Sequence, residues 1–189
     1  MIRSFFRRPK VCGAVLLAAA GICVLLLALS VRIIWSSGQS MAPTLKDGQL
    51  LIATPACNPF VTPQPGDIVV VRCDAGRNLI KRLIALPGET VQVQNGWLSI
   101  DGSAICESYL PQATVTSDIP PVTLGEDSYY VLGDNRSVSA DSRYYGTFSG
   151  CDIMCVVDLE HQWLHWGLFL LLAVLVYLLA SRGLTLLNL

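Results

Sequence analysis

The sequence predicts a mainly β protein, with an antiparallel β-sheet or partial barrel held between two apolar segments. Short runs of β-branched and aliphatic residues recur through the middle of the chain, where Gly, Pro and Asp bound them as they usually bound strands. Asn95 and Gly96 separate two alternating segments, and this dipeptide is a strong short-range signal for a β-hairpin. These two observations define the fold class.

Each predicted strand begins and ends at a turn signal. The strands cover residues 68–71, 79–86, 91–94, 97–100 and 128–132. Residues 103–126 carry Pro111, Pro120 and Pro121 and are expected to form a surface loop. The β domain as a whole is expected to span residues 36–160, which is enough chain to build its own core.

Composition and charge exclude several classes of function. Hydrophobic residues make up 52% of the chain and charged residues 14%, against typical values of about 45–50% and about 25%. The net charge is −1, so the chain lacks the basic field of a nucleic-acid-binding protein. The sequence has neither a glycine-rich phosphate loop nor a zinc-type Cys/His array, and we therefore expect no cofactor and no metal.

The first apolar segment predicts a membrane anchor. Residues 11–31 are uncharged, and this length suits a spanning helix of roughly 20 residues better than the core of a cleaved signal peptide, which is about 7–15 residues. Basic residues cluster before this run, which places residues 1–10 in the cytoplasm. We expect a transmembrane anchor over residues 11–35 and an extracytoplasmic location for the domain that follows.

The second apolar segment, residues 163–181, predicts another transmembrane helix. Trp163 and Trp166 at its outer end and Arg182 at its inner end fit the same orientation. Residues 182–189 would then form a cytoplasmic tail. A helix lying in the membrane interface is the alternative.

The cysteines of the outer section allow two interpretations. An oxidising exterior permits up to two disulfide bridges with one thiol left over, in a pairing that the sequence does not define. Buried free cysteines are the alternative. The residues are Cys57, Cys73, Cys106, Cys151 and Cys155.

A polar turn after the first apolar segment carries a candidate nucleophile, Ser40. Gly38 allows the backbone to bend, and Pro43 stiffens the other side of the turn. A serine attacks an amide only when a base removes its proton. The two histidines, His161 and His165, lie beside the second apolar segment, which makes them poor candidates for that base.

Lys81 is the better candidate base. In a strand it shares a face with apolar neighbours, and burial there would lower the pKa of the amine towards the range of about 7–8 that is useful in catalysis. Arg82 points to the other face and suits a structural ion pair. A surface lysine is the alternative interpretation of Lys81.

The polar stretch 133–146 follows a predicted strand and is expected to form a loop. The Ser139 hydroxyl could aim a neutral lysine amine through a hydrogen bond, and Asp141 and Arg143 could clamp the loop as an ion pair. A solvated turn is the alternative.

Taken in order, these stretches resemble the sequence boxes of the bacterial type I signal peptidases. The similar stretches cover most of residues 36–150 and comprise residues 40–44, 66–69, 81–82, 86–89 and 133–146. The resemblance implies that Ser40 is the nucleophile and that Lys81 is the general base. It implies that Ser139 positions the lysine and that Asp141 and Arg143 form a structural acid–arginine pair.

The resemblance also implies an oxyanion hole built on the backbone N–H of Ser40. Some members of the family add a serine hydroxyl two residues earlier, and Gly38 stands at that position here. Losing one donor costs about 2.7–4 kcal/mol, so we expect another group to compensate.

The implied substrates are secretory preproteins that present an extended segment at the outer face of the lipid bilayer. Small side chains would lie one and three residues before the cut, an Ala-X-Ala type of site, and the segment would bind as an added strand. Met41, Ile68 and Val70 are the candidate substrate-binding residues.

The implied activity is that of a membrane-bound serine endopeptidase that removes signal peptides. One alternative is a Ser/Lys processing peptidase specialised for conjugation or pilus proteins. The other is a membrane-tethered β module that binds secreted chains without cutting them.

Overall fold

The computed structural model describes residues 31–59, 61–73, 76–157 and 159, and six further positions: Gly21, Gly167, Leu170, Leu171, Val174 and Leu178. Arg32–Leu159 forms one compact unit, and Met1–Val31 with Glu160–Leu189 forms another. The predicted membrane segments 11–35 and 163–181 lie largely outside the described residues. Among the positions that are described, no helix combines the length and the apolar character needed to cross a membrane.

The unit Arg32–Leu159 is built almost entirely of short antiparallel strands. They are β1 (Arg32–Trp35), β2 (Leu50–Pro55), β3 (Ile68–Arg72), β4 (Asn78–Ala85), β5 (Thr90–Gln94), β6 (Trp97–Ile100), β7 (Ser103–Ala104), β8 (Ile119–Thr123), β9 (Tyr130–Leu132) and β10 (Ile153–Val157). The helical elements described in this unit are a single turn, α1 (Ser142–Tyr145), and a 3-10 turn (Gly150–Asp152). The prediction of a mainly β, antiparallel domain is therefore confirmed.

Six strands form the larger sheet, in the order β1-β2-β10-β3-β4-β9. Strand β10 comes last along the chain but pairs with both β2 and β3 in the middle of the sheet. Both faces of this sheet are covered. One apolar cluster includes Leu51, Val70 and Cys155, and the opposite cluster includes Val69 and Val156. The larger sheet, which carries the candidate site, therefore depends on pairing between strands that are distant in sequence.

Four strands form the smaller sheet, in the order β7-β6-β5-β8. Its central hairpin turns at Asn95 (φ 53°) and Gly96 (φ 80°), and a tight hairpin that needs left-handed backbone at two successive residues favours Asn-Gly. Val91 and Val93 of β5 point into a third apolar cluster shared with the end of β4. The predicted hairpin is confirmed.

Two sequence predictions are corrected by the strands. Residues 103–126 are not loop throughout, because β7 and β8 lie within them; β8 accepts Pro120 and Pro121 because it is an edge strand of its sheet. Arg32–Trp35, assigned by the sequence to the end of the anchor, is instead β1, because it pairs with β2.

The cysteines of the described chain are all free thiols. Cys73 and Cys155 are buried, whereas Cys57, Cys106 and Cys151 are exposed. The thiols are unbridged, as the second interpretation expects, but only Cys73 and Cys155 are also buried.

Candidate active site

The turn that carries Ser40 is fixed by its own backbone and by one carboxylate. Gly38 has φ +88°, in the left-handed region that favours glycine, and its N–H donates to the Asp47 carboxylate over 2.8 Å. The Leu45 N–H donates to the Met41 carbonyl over 2.9 Å, which closes the far side of the turn. The Gly38 N–H is therefore occupied by Asp47.

Lys81 reaches this turn from β4. It lies opposite Val69 in the β3–β4 ladder, and only 3% of its surface is exposed. Its Nζ lies 2.8 Å from Ser40 Oγ. Burial is the main reason that the pKa of Lys81 is lowered from its ordinary value; Arg143 adds to the effect, and Asp141 and Asp134 oppose it. The structure thus brings Ser40 and Lys81 together in a setting that favours a neutral amine.

The loop after β9 carries the acid–arginine pair. Asp141 is fully buried and forms an ion pair with Arg143, whose Nε donates to Oδ1 over 2.9 Å. Asp141 also accepts from the Gly133 N–H over 2.9 Å. Burial alone would raise the pKa of Asp141, but the hydrogen bonds from Arg143 and Gly133 outweigh it and hold the pKa below its ordinary value. The loop is a clamped structure and not the solvated turn of the alternative interpretation.

Ser139 differs from its expected contact. Its Oγ is buried and, within the described part of the chain, makes no hydrogen bond of normal distance and angle, to Lys81 or to any other group. Ser139 packs closely against Gly133, where an added Cβ would lie 2.1 Å from Ser139 Oγ and 2.5 Å from the Ser40 carbonyl oxygen. Only glycine allows this approach of the loop to the serine turn. The role of Ser139 as an orienting group stays a prediction without a direct contact.

Two depressions meet at Ser40 and Lys81. One is a groove of about 400 Å³ between β1 and the start of β4, and it is lined by Met41 and Val70, two of the three predicted substrate-binding residues. The third, Ile68, packs in the core cluster and does not line this groove. The second depression, about 430 Å³, lies beside residues of the 133–146 loop such as Val138 and Ala140. The serine and lysine thus stand where an extended chain could pass from one depression to the other.

A buried ion pair lies beneath the turn, and the sequence predicts only one of its two members. The predicted structural role of Arg82 is confirmed, and its partner is Asp134: Nη2 and Nε donate to the carboxylate over 2.6 and 2.9 Å. Asp134 also accepts from the Thr44 hydroxyl in the serine turn. The Arg82 guanidinium stacks on the Tyr109 ring, 3.8 Å from its centroid. The sequence does not predict a role for Asp134, because its partners lie far from it along the chain.

Arg136 anchors the loop from the other side. It forms an ion pair with Glu107 and donates to the Thr116 hydroxyl over 2.6 Å and to the Gly133 carbonyl over 3.1 Å. This pairing is not predictable from the sequence, because Glu107 lies in the stretch expected to be surface loop. Among the described residues no group of acidic, cysteine or histidine side chains has the arrangement of a metal site.

The fold and the site define a class of protein: an antiparallel β domain in which a buried lysine amine meets a serine hydroxyl beside an open groove. A family model described as "Signal peptidase, peptidase S26" matches residues 10–162. The chain belongs to this family of signal peptidases.

Individual relatives agree with the family. The chain is 40% identical over 116 residues to a signal peptidase I of Bacillus amyloliquefaciens, over 56% of this chain and 60% of the relative. It is 38% identical over 116 residues to signal peptidase I T of Bacillus subtilis (strain 168), with the same shares. The chain thus spans about 60% of the length of these relatives. A solved signal peptidase I from Enterococcus faecalis V583 has 33% identity and a TM-score of 0.47, over 52% of this chain and 98% of that one.

Proposed function

We propose that the protein is a serine endopeptidase that removes signal peptides from secretory preproteins, with Ser40 as nucleophile and Lys81 as general base. The observation that carries the proposal is the 2.8 Å separation of Lys81 Nζ and Ser40 Oγ in a buried setting. Burying an amine without a function is costly, because desolvation disfavours its charged form. A module that only binds chains would gain nothing from that cost.

The geometry supports a reaction that proceeds through an acyl-enzyme. A neutral Lys81 amine accepts the Ser40 hydroxyl proton while Oγ attacks the scissile carbonyl carbon. The resulting ammonium gives that proton to the leaving amine as the C–N bond breaks, which leaves an acyl ester on Ser40. Lys81 then takes a proton from water, hydroxide attacks the ester, and the serine is released with its proton restored.

The negative oxygen of each tetrahedral intermediate needs a donor. The backbone N–H of Ser40 is paired with no protein acceptor within the described residues. A donor held ready at the nucleophile stabilises charge that develops only in the transition state. This free N–H supports the assignment of Ser40 as both nucleophile and oxyanion donor.

The groove supports a substrate with small side chains near the cut. Its walls near Ser40 include Met41, Leu45 and Val70, and an extended peptide lying along β1 would place alternate side chains against them. Ala-X-Ala segments match this alternation. The names of the relatives point to the same class of precursor.

Membrane tethering completes the proposal. Residues 11–31 would anchor the chain, residues 163–181 would return it, and the unit from Arg32 onward would work outside the cytoplasmic membrane. Ile33 and Trp35 of β1 are 62% and 67% exposed directly after the anchor, which suits contact with lipid. Precursors held in the same bilayer would meet the groove there.

The test is cleavage of a precursor peptide with an Ala-X-Ala site by the full chain in detergent micelles. Ser40→Ala and Lys81→Ala should each lower kcat by at least about 1,000-fold, because each removes a member of a unit that acts jointly. Ser99→Ala in the smaller sheet and Lys46→Ala, an exposed lysine, are matched controls that should cleave normally. Normal cleavage by the Ser40 or Lys81 variant would refute the assignment, and a narrow preference for one precursor would favour a specialised processing peptidase.

A further inference from the structure

Asn135 contacts the serine turn twice without touching the reacting atoms. It follows Asp134 in the loop after β9, and its backbone N–H donates to the Ser40 carbonyl over 3.0 Å. Its side-chain Nδ2 donates to the Gln39 carbonyl over 3.1 Å. Its Oδ1 accepts from the Ser137 hydroxyl over 3.0 Å, so the carboxamide is held at both ends.

The second contact bears on the direction of the Ser40 N–H. The Gln39 carbonyl and the Ser40 N–H belong to one planar trans peptide, in which the two groups point in opposite directions. Gln39 O also accepts from the Ala42 N–H over 3.1 Å, so two donors fix its orientation. Whatever fixes that carbonyl also fixes the N–H on the other side of the plane.

The same contact strengthens the donor. A carbonyl that accepts hydrogen bonds polarises its amide and makes the attached N–H a better donor. The side chain of Asn135 therefore acts on the direction and on the donor strength of the Ser40 N–H, which is paired with no acceptor among the described residues.

We infer that Asn135 is a positioning residue for transition-state stabilisation, which it achieves by orienting the Ser40 N–H through the Gln39 carbonyl. The inference rests on the proposed peptidase function. Its distinctive consequence is that the side chain affects the tetrahedral state and not the binding of intact substrate.

The primary variant is Asn135→Ala. It leaves the backbone bond to Ser40 in place and removes only the carboxamide. Because complete loss of an oxyanion donor costs about 100- to 1,000-fold in kcat, a donor that is misaimed should cost about 10- to 100-fold. KM should stay within about twofold, since the contact matters only in the transition state.

Two further variants separate donation from local structure. Asn135→Asp keeps the shape of the side chain but cannot donate to Gln39, so it should lose at least as much kcat as Asn135→Ala. Ser137→Ala keeps the Asn135 donor and should lose less than about twofold. All three variants are compared with the wild-type chain. The comparison is made once chemical denaturation has shown that their unfolding midpoints equal that of the wild type.

A peptide aldehyde ending in alanine supplies a readout other than turnover. Its carbonyl adds the Ser40 hydroxyl to give a hemiacetal whose oxygen lies at the Ser40 N–H. Its affinity should fall by about the same factor as kcat in the Asn135 variants. If Asn135→Ala fails to fold, Asn135→Asp and the aldehyde measurement still decide the question.

Equal fractional losses in kcat and aldehyde affinity with constant KM would support the inference. Unchanged kcat in both Asn135 variants, or a change confined to KM, would overturn it while leaving the peptidase assignment intact. A wild-type chain that cleaves no precursor would instead refute the proposed function itself.

Discussion

The two β-sheets of the compact unit bury different kinds of residue. The four-stranded sheet packs apolar side chains such as Val91, Val93 and Leu98 around a regular hairpin. The six-stranded sheet also buries Lys81 and Arg82 on adjacent positions of one strand, each held by a group from another part of the chain. The smaller sheet is an apolar scaffold, whereas the larger one also buries two basic side chains, one in the Arg82–Asp134 ion pair and one in the contact between Lys81 and Ser40.

The largest effect is expected from a variant that breaks the buried ion pair of the larger sheet. Asp134→Ala should lower the free energy of unfolding by about 3–5 kcal/mol, because it leaves the Arg82 guanidinium buried without its carboxylate. It should also lower kcat, since the Thr44 hydroxyl of the serine turn loses its acceptor. Chemical denaturation and precursor cleavage measure the two effects.

The matched control for this variant is Glu126→Ala, which removes an exposed carboxylate and should change stability by less than about 0.5 kcal/mol. Equal stability of the two variants would show that the buried pair contributes nothing to folding.

A smaller effect is expected from the packed sheet. Val93→Ala should lower the free energy of unfolding by about 2 kcal/mol through lost burial and a small cavity. The ratio kcat/KM should stay within about twofold at temperatures where the variant is folded, because no site residue lies on β5. A large loss of kcat/KM in folded protein would mean that the two sheets do not divide scaffold from site.

The smallest expected effect is the pH dependence that the buried lysine of the larger sheet gives to stability and to rate. Burial lowers the pKa of Lys81 from 10.5, so between the lowered pKa and 10.5 the unfolded chain binds more protons than the folded one. The free energy of unfolding of the wild type should therefore rise as pH increases through that window. Over the same increase kcat/KM should rise as the amine becomes neutral and then level off.

Lys81→Met removes the buried amine and tests both trends. It should be inactive, should lose this pH-dependent gain, and should be more stable than the wild type at neutral pH, because it no longer buries an ionisable amine. Lys46→Met, at an exposed lysine, should retain the wild-type profile. A flat rate profile in the wild type, or a destabilised Lys81→Met, would contradict the picture of a lysine kept neutral by burial.

The same division explains what the sequence could predict. The hairpin at Asn95 and Gly96 depends on two adjacent residues, so local chemistry predicts it. The pairing of β10 with β2 and β3, which lie far away along the chain, leaves no local signal, and β1 is hard to recognise because its apolar residues continue an apolar run. Local pattern therefore predicts hairpins and single strands, but not which distant strands pair with each other.

The site divides in a similar way. Ser40 and Lys81 follow from the chemistry that a serine needs, and the structure places them in contact, although their catalytic roles remain proposals. Asp134 and Asn135 have no such signal, since their value lies in contacts made across the fold. Only coordinates reveal which polar residues of a loop support a nucleophile.

The residues that hold the serine turn lie far from it in sequence, and this separation affects when the site can form during synthesis. Asn135 donates to the carbonyl of Gln39, 96 positions earlier, and Asp134 accepts from the hydroxyl of Thr44, 90 positions earlier. At a synthesis rate of about 5–20 residues per second, the supports emerge roughly 5–20 s after the turn. A growing chain therefore carries its serine for many seconds without the residues that hold the turn, and the proposed peptidase activity would begin only after the domain has folded around that serine.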